Sequence, residues 1–145
     1  MNILIGRFGA YEIALGLAFG VLLGFLPKAN LLFVILAIIF FLSRANIIIG
    51  VLATLVISFF APWLYSFADW LGREILMSAQ GQQIIGMLFC IPVMPWTMLD
   101  HTVVLGMFLL GVLLFLPVFL VAWIWLKIVL PKPKEQPPKP IPTKT

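Results

Sequence analysis

Uninterrupted apolar runs divide the chain into five blocks: 13–26, 31–42, 47–64, 84–99 and 102–126. Pro27-Lys28 closes the first and Ser43-Arg44 the second. Pro92 and Pro95 break the fourth, and Pro117 lies inside the fifth. A spanning helix takes about 20 apolar residues, whereas runs of about 10–14 suit re-entrant or interfacial segments. The third and fifth blocks therefore predict full transmembrane helices. Blocks one and two are individually short, and Pro27-Lys28-Ala29-Asn30 between them is a turn sequence. A helix does not run easily through Pro27, which lacks an N–H and pushes its predecessor away from helical geometry. The two blocks predict a helical hairpin that either dips into the bilayer and returns or spans as two tilted helices. Block four predicts a second broken or re-entrant element.

No run alternates as a barrel strand does, and backbone in lipid must satisfy its own hydrogen bonds. The predicted class is all-α: an integral membrane helical protein with Pro-broken hairpins and at least two full spans. Residues 1–130 form the helical membrane domain and 131–145 a Pro/Lys-rich cytoplasmic tail. Residues 1–7 have no basic n-region, so the first apolar segment is expected to remain in the mature protein.

Composition sharpens this. The chain is 63% hydrophobic and 10% charged, with a mean hydropathy of +1.20. A soluble domain carries about 45–50% apolar and about 25% charged residues, so a water-soluble fold is excluded. The net charge of +4 gathers at the C-terminal end, where Lys127, Lys132, Lys134, Lys139 and Lys144 oppose only Glu135. Nucleic acid needs a basic folded face, and none is predicted. Positive flanks stay inside, which places the C-terminus in the cytoplasm. Charge alone leaves the N-terminus open: two spans put it inside, five put it outside.

Gly16, Gly20 and Gly24 recur every four residues and share one helix face. Such a stripe admits another helix at close range, either a partner's or one of this chain's own. Gly106 joins these residues as a candidate packing position. Asn46-Ile-Ile-Ile-Gly50 before Pro62 resembles Thr102-Val-Val-Leu-Gly106 before Pro117. A true repeat would make two hairpin–span halves of opposite direction, a transporter architecture.

The candidate contacts for lipid headgroups or partners are Glu12, Lys28, Arg44, Asn46 and Lys127. Arginine suits phosphate geometry, Asn46 suits a helix cap, and Glu12 suits either a first helical turn or an ion pair with Arg44. Asp69 and Arg73 are spaced to pair on a helix, and Asp100 is placed to cap the fifth block. Cys90 is the sole cysteine and His101 the sole histidine, too few for a structural zinc site. No nucleophile elbow, phosphate-binding glycine loop or paired carboxylates occur. No catalytic, cofactor or metal site is expected.

Residues 13–20, continuing to Gly24 and Pro27, resemble the bacterial membrane family of unknown function DUF2062. Arg44-Ala45-Asn46 followed by Pro62 fits the same pattern. The resemblance covers roughly 9–75, and 76–130 looks like a small stand-alone branch. Tyr11 stands where proline is common, and Ala61-Pro62 replaces asparagine–proline. The resemblance implies a bacterial inner-membrane protein, in some relatives fused to glycosyltransferase domains, with no catalytic residues to carry over. The expected function is a non-enzymatic inner-membrane subunit that packs with hetero- or homo-oligomeric membrane partners and handles lipid or lipid-linked material. The alternatives are a small oligomeric carrier and an accessory to a membrane glycosyltransferase.

Overall fold

The computed structural model describes residues 9–129, and among these there is no strand. Six α-helices follow one another: α1 Ala10–Phe25, α2 Leu31–Leu42, α3 Ile47–Phe60, α4 Tyr65–Met77, α5 Ala79–Phe89 and α6 Thr102–Val129. The Pro/Lys-rich tail predicted at 131–145 lies outside the described residues.

Block two becomes α2 residue for residue. Asn30 caps it, its side chain accepting from the Leu32 N–H at 2.5 Å. Asn46 caps α3 in the same way, accepting from Ile49 at 3.2 Å. Such a cap is worth about 1 kcal/mol. The third block runs further than its apolar stretch. α3 passes through a 3-10 turn, Ala61–Leu64, directly into α4, so Ile47–Met77 is one rod of 31 residues. Pro62 does not break it because it sits in the first positions of the 3-10 turn, where its missing N–H has no partner to lose. This rod and α6, with 28 residues, are both long and apolar enough to cross a membrane.

α1 is the centre of the bundle. Ile13, Ala14, Ala18, Val21, Leu22, Leu23 and Phe25 are all buried, whereas α2 buries only Phe40. α3 lies parallel to α1: Gly16 meets Asn46, Gly20 meets Gly50 and Ala53, and Gly24 meets Ile57. α6 lies antiparallel on another side: Leu22 touches Gly111, Phe19 lies 5.2 Å from Phe115, and Tyr11 lies 5.5 Å from Phe119. The start of α1 and the end of α6 therefore share one end of the bundle. An odd count of five crossings would have put them at opposite ends.

The proposed internal repeat is not reproduced in the packing. α3 lies along α1 over its whole length, but α5 leans on α4 and the Met94–Thr97 turn and scarcely meets α6.

Candidate functional site

The glycine stripe packs within this chain, and the fold leaves no room there for a partner's helix. A methyl placed on Gly20 would lie 2.6 Å from the Gly50 carbonyl oxygen and 2.5 Å from Ala53 Cβ. On Gly16 it would lie 2.6 Å from the Asn46 carbonyl oxygen. α3 fills this face. Gly106 is likewise pressed on the Ala68 backbone, where α4 and α6 cross.

The headgroup candidates split between the two ends of the bundle. Glu12, Arg44, Asn46 and Lys127 gather at the end where α1 begins. There the Asn46 N–H donates to the Glu12 carbonyl at 2.9 Å. The Glu12 carboxylate accepts from the Gly9 N–H at 3.3 Å rather than from Arg44. Of the two roles read for Glu12, the structure has the first-turn one, not the pair with Arg44, and Asp69–Arg73, at 2.8 Å, is the ion pair among the described residues. Helix geometry explains this: the backbone of Glu12, not its side chain, faces the α2–α3 turn. Arg44 is exposed, and the Lys127 ammonium sits 4.1 Å over the Trp123 ring. Asp100 makes no cap bond. The His101 carbonyl accepts the first helical bond of α6 instead, from the Leu105 N–H at 3.0 Å.

Lys28 stands alone at the other end, on the tip of the α1–α2 hairpin. Its ammonium donates to the Gly24 carbonyl at 3.4 Å and to the Ser58 hydroxyl. Ser58 in turn donates to the Thr54 carbonyl at 2.5 Å. No carboxylate pairs with Lys28 among the described residues. Partial burial holds its pKa below the ordinary lysine value, since desolvation disfavours the charged form.

Lys28 opens onto a cleft of about 630 Å³. The tip and α2 supply Asn30, Leu31 and Val34 to its lining, and the turn before α6 supplies Trp96 and Met98. The two sides are tied by one long-range bond, from the Asn30 amide to the Thr97 carbonyl at 2.9 Å. Both partners are buried, with Asn30 4% and Thr97 3% exposed, while Trp96 is 72% exposed. The cleft thus combines one unpaired cation, an aromatic wall and aliphatic lining. Such a lining complements an anionic group at one end and an apolar one at the other. Sequence reading found Lys28 and the turn but not Ser58, Trp96 or Thr97. Asn30 before an apolar run was the one available signal, and it announces a cap rather than a clasp.

Among the described residues no cluster of His, Cys, Asp or Glu could hold a metal ion. Compared with known families, residues 3–132 match the model described as an uncharacterized protein conserved in bacteria, DUF2062. The match reaches well beyond the 9–75 stretch that carries the resemblance. No curated protein and no solved structure matches the chain.

Proposed function

The chain belongs to the DUF2062 family, whose description names no activity, and from that premise we propose a non-enzymatic bacterial inner-membrane subunit that handles lipid or lipid-linked material at the Lys28 cleft. The cleft is the observation that carries this reading. It is set in a protein whose outer surface is oily: Ile38, Leu42, Leu55, Phe59, Leu113, Val121 and Ile128 are all more than half exposed. From Glu12 to its end at Phe25, α1 rises about 20 Å at 1.5 Å per residue, and the extended turn carries the chain on to Lys28. That approaches the roughly 30 Å of a hydrocarbon core. The polar ends of the bundle are thus spaced as the two faces of a bilayer.

Arg44 and Lys127 share one end, and the lysine-rich tail follows it in sequence, so this end faces the cytoplasm. The Lys28 cleft then opens on the opposite face. With Cys90 replaced by serine, a cysteine at Ala29 is expected to react with a membrane-impermeant maleimide on the periplasmic side, and one at Arg44 only after the inner membrane is opened. The reverse labelling pattern inverts this orientation.

Packing with partner proteins rests on the exposed belt, now that the glycine stripe is occupied. Purification of the intact protein in mild detergent, with mass spectrometry of whatever accompanies it, tests both parts. Bound lipid and a reproducible protein partner are expected. A protein that leaves the membrane without detergent, or one that purifies free of any lipid, removes the proposal.

A further inference from the structure

We propose that the Lys28 cleft selects a lipid with an anionic phosphate headgroup, seated at the Lys28 ammonium, with its chain laid along the exposed face of α2. This rests on the lipid-handling reading above and narrows it to one class of ligand.

Charge supplies the first argument. The Lys28 ammonium has only a carbonyl and a hydroxyl as partners. Both are neutral acceptors, so its charge is left uncompensated. An ammonium offers three donors, and a phosphate oxygen can take the one that faces the cleft. A charge-assisted bond of this kind is roughly twice as strong as a neutral one.

The second argument is the floor of the cleft. Leu31 and Val34 line it, and Ile38 and Leu42 continue the same row at spacings of three and four residues. Val34, Ile38 and Leu42 are 46%, 53% and 82% exposed. Positions so spaced share one face of a helix. The row begins in the cleft and runs the length of α2, about 18 Å for its 12 residues. A headgroup site at one end of an unbroken oily track describes a lipid better than a small soluble anion, which would have no use for the track. Trp96, an amphipathic ring on the cleft wall, is the residue type favoured at headgroup level.

The position of Trp96 makes the proposal measurable. The full chain is reconstituted in phosphatidylcholine vesicles containing either brominated phosphatidylglycerol or brominated phosphatidylcholine. The Trp96 share of the fluorescence is obtained by subtracting the Trp96→Phe protein. Quenching of Trp96 is expected to show about a fivefold preference for the anionic lipid, the factor one interfacial lysine contributes. Lys28→Gln should erase the preference and Lys28→Arg should keep it. The comparison of the two lipids uses only the wild type and the Trp96→Phe protein, whose altered ring is 72% exposed, so a Lys28→Gln protein that fails to fold leaves the test intact. Equal quenching by the two lipids overturns the proposal while leaving a lipid-handling protein in place. If inorganic phosphate alone abolishes the preference, the site is one for free phosphate and the proposal also falls. If neither lipid quenches Trp96, as when a second copy covers the cleft, both this proposal and the function it rests on are lost.

Discussion

Gly106→Ala is expected to destabilise the protein by about 3 kcal/mol, near the upper end of what overpacking costs, although it adds only one methyl. The methyl would fall inside the van der Waals envelope of the Ala68 carbonyl. That obstacle is backbone, which has no rotamer to change, so α4 and α6 must move apart. Two other glycines calibrate the effect. At Gly111 the nearest atom is Leu22 Cδ1, at 2.8 Å, the end of a flexible side chain, so Gly111→Ala should cost about 1 kcal/mol or less. At Gly86 nothing lies within 4 Å, and alanine there should be neutral or stabilise α5 by about 0.5–1 kcal/mol. Thermal unfolding in one detergent should rank the three in that order. Gly72 faces the Thr102 carbonyl at the same crossing. Gly72→Ala should therefore cost much the same as Gly106→Ala, and the double variant clearly less than the sum, because one methyl already opens the joint. Equal stabilities for Gly106→Ala and Gly86→Ala would show that the crossing does not hold the fold together.

The severity follows from the solvent. Between helices in lipid there is no hydrophobic drive, because lipid tails are as apolar as leucine. What remains is close packing and weak Cα–H···O contact, and both fall away when helices separate. The glycines at the crossings are thus a larger share of the stability than the many leucines on the belt.

The same physics separates what the sequence announced from what it concealed. The early helix positions are readable because charge, proline and capping asparagine punctuate a uniformly apolar chain; α2 coincides with its apolar block. The rod through Pro62 was not readable. Proline forbids a helix interior but permits a first turn, and sequence alone does not say which applies. The stripe at Gly16, Gly20 and Gly24 announced a close neighbour without naming α3, since any small-faced helix would satisfy it. Gly72 gave no stripe signal at all. The tip cleft depends on contacts between residues far apart in sequence, Lys28 with Ser58 and Asn30 with Thr97. A single serine or threonine in an apolar block carries no mark of its distant partner.

Asn30 should be the most sensitive polar residue in the chain, because it serves two structures at once. Its carbonyl caps α2 and its amide holds the Met94–Thr97 turn against the hairpin tip. Asn30→Ala removes a cap worth about 1 kcal/mol and leaves the buried Thr97 carbonyl without a donor, a further 1–3 kcal/mol or so. A loss of about 2–4 kcal/mol is expected by thermal unfolding. Asn30→Asp separates the two roles. The carboxylate still accepts from Leu32, so α2 stays capped, but it cannot donate to Thr97 and sets a negative charge against a carbonyl. Hydrogen exchange should then quicken at Trp96 and Met98 in both variants, while the Gly50 amide, bonded to Asn46 at 2.9 Å, stays protected in both. The α2 amide of Leu32 should lose protection only in Asn30→Ala. If Trp96 and Met98 exchange no faster in Asn30→Asp than in the wild type, the clasp between the hairpin tip and the turn is not what closes that side of the cleft. Its wall would then have to be held by the chain's own path from α5 into α6, and the bond between Asn30 and Thr97 would be a consequence of that path rather than its cause.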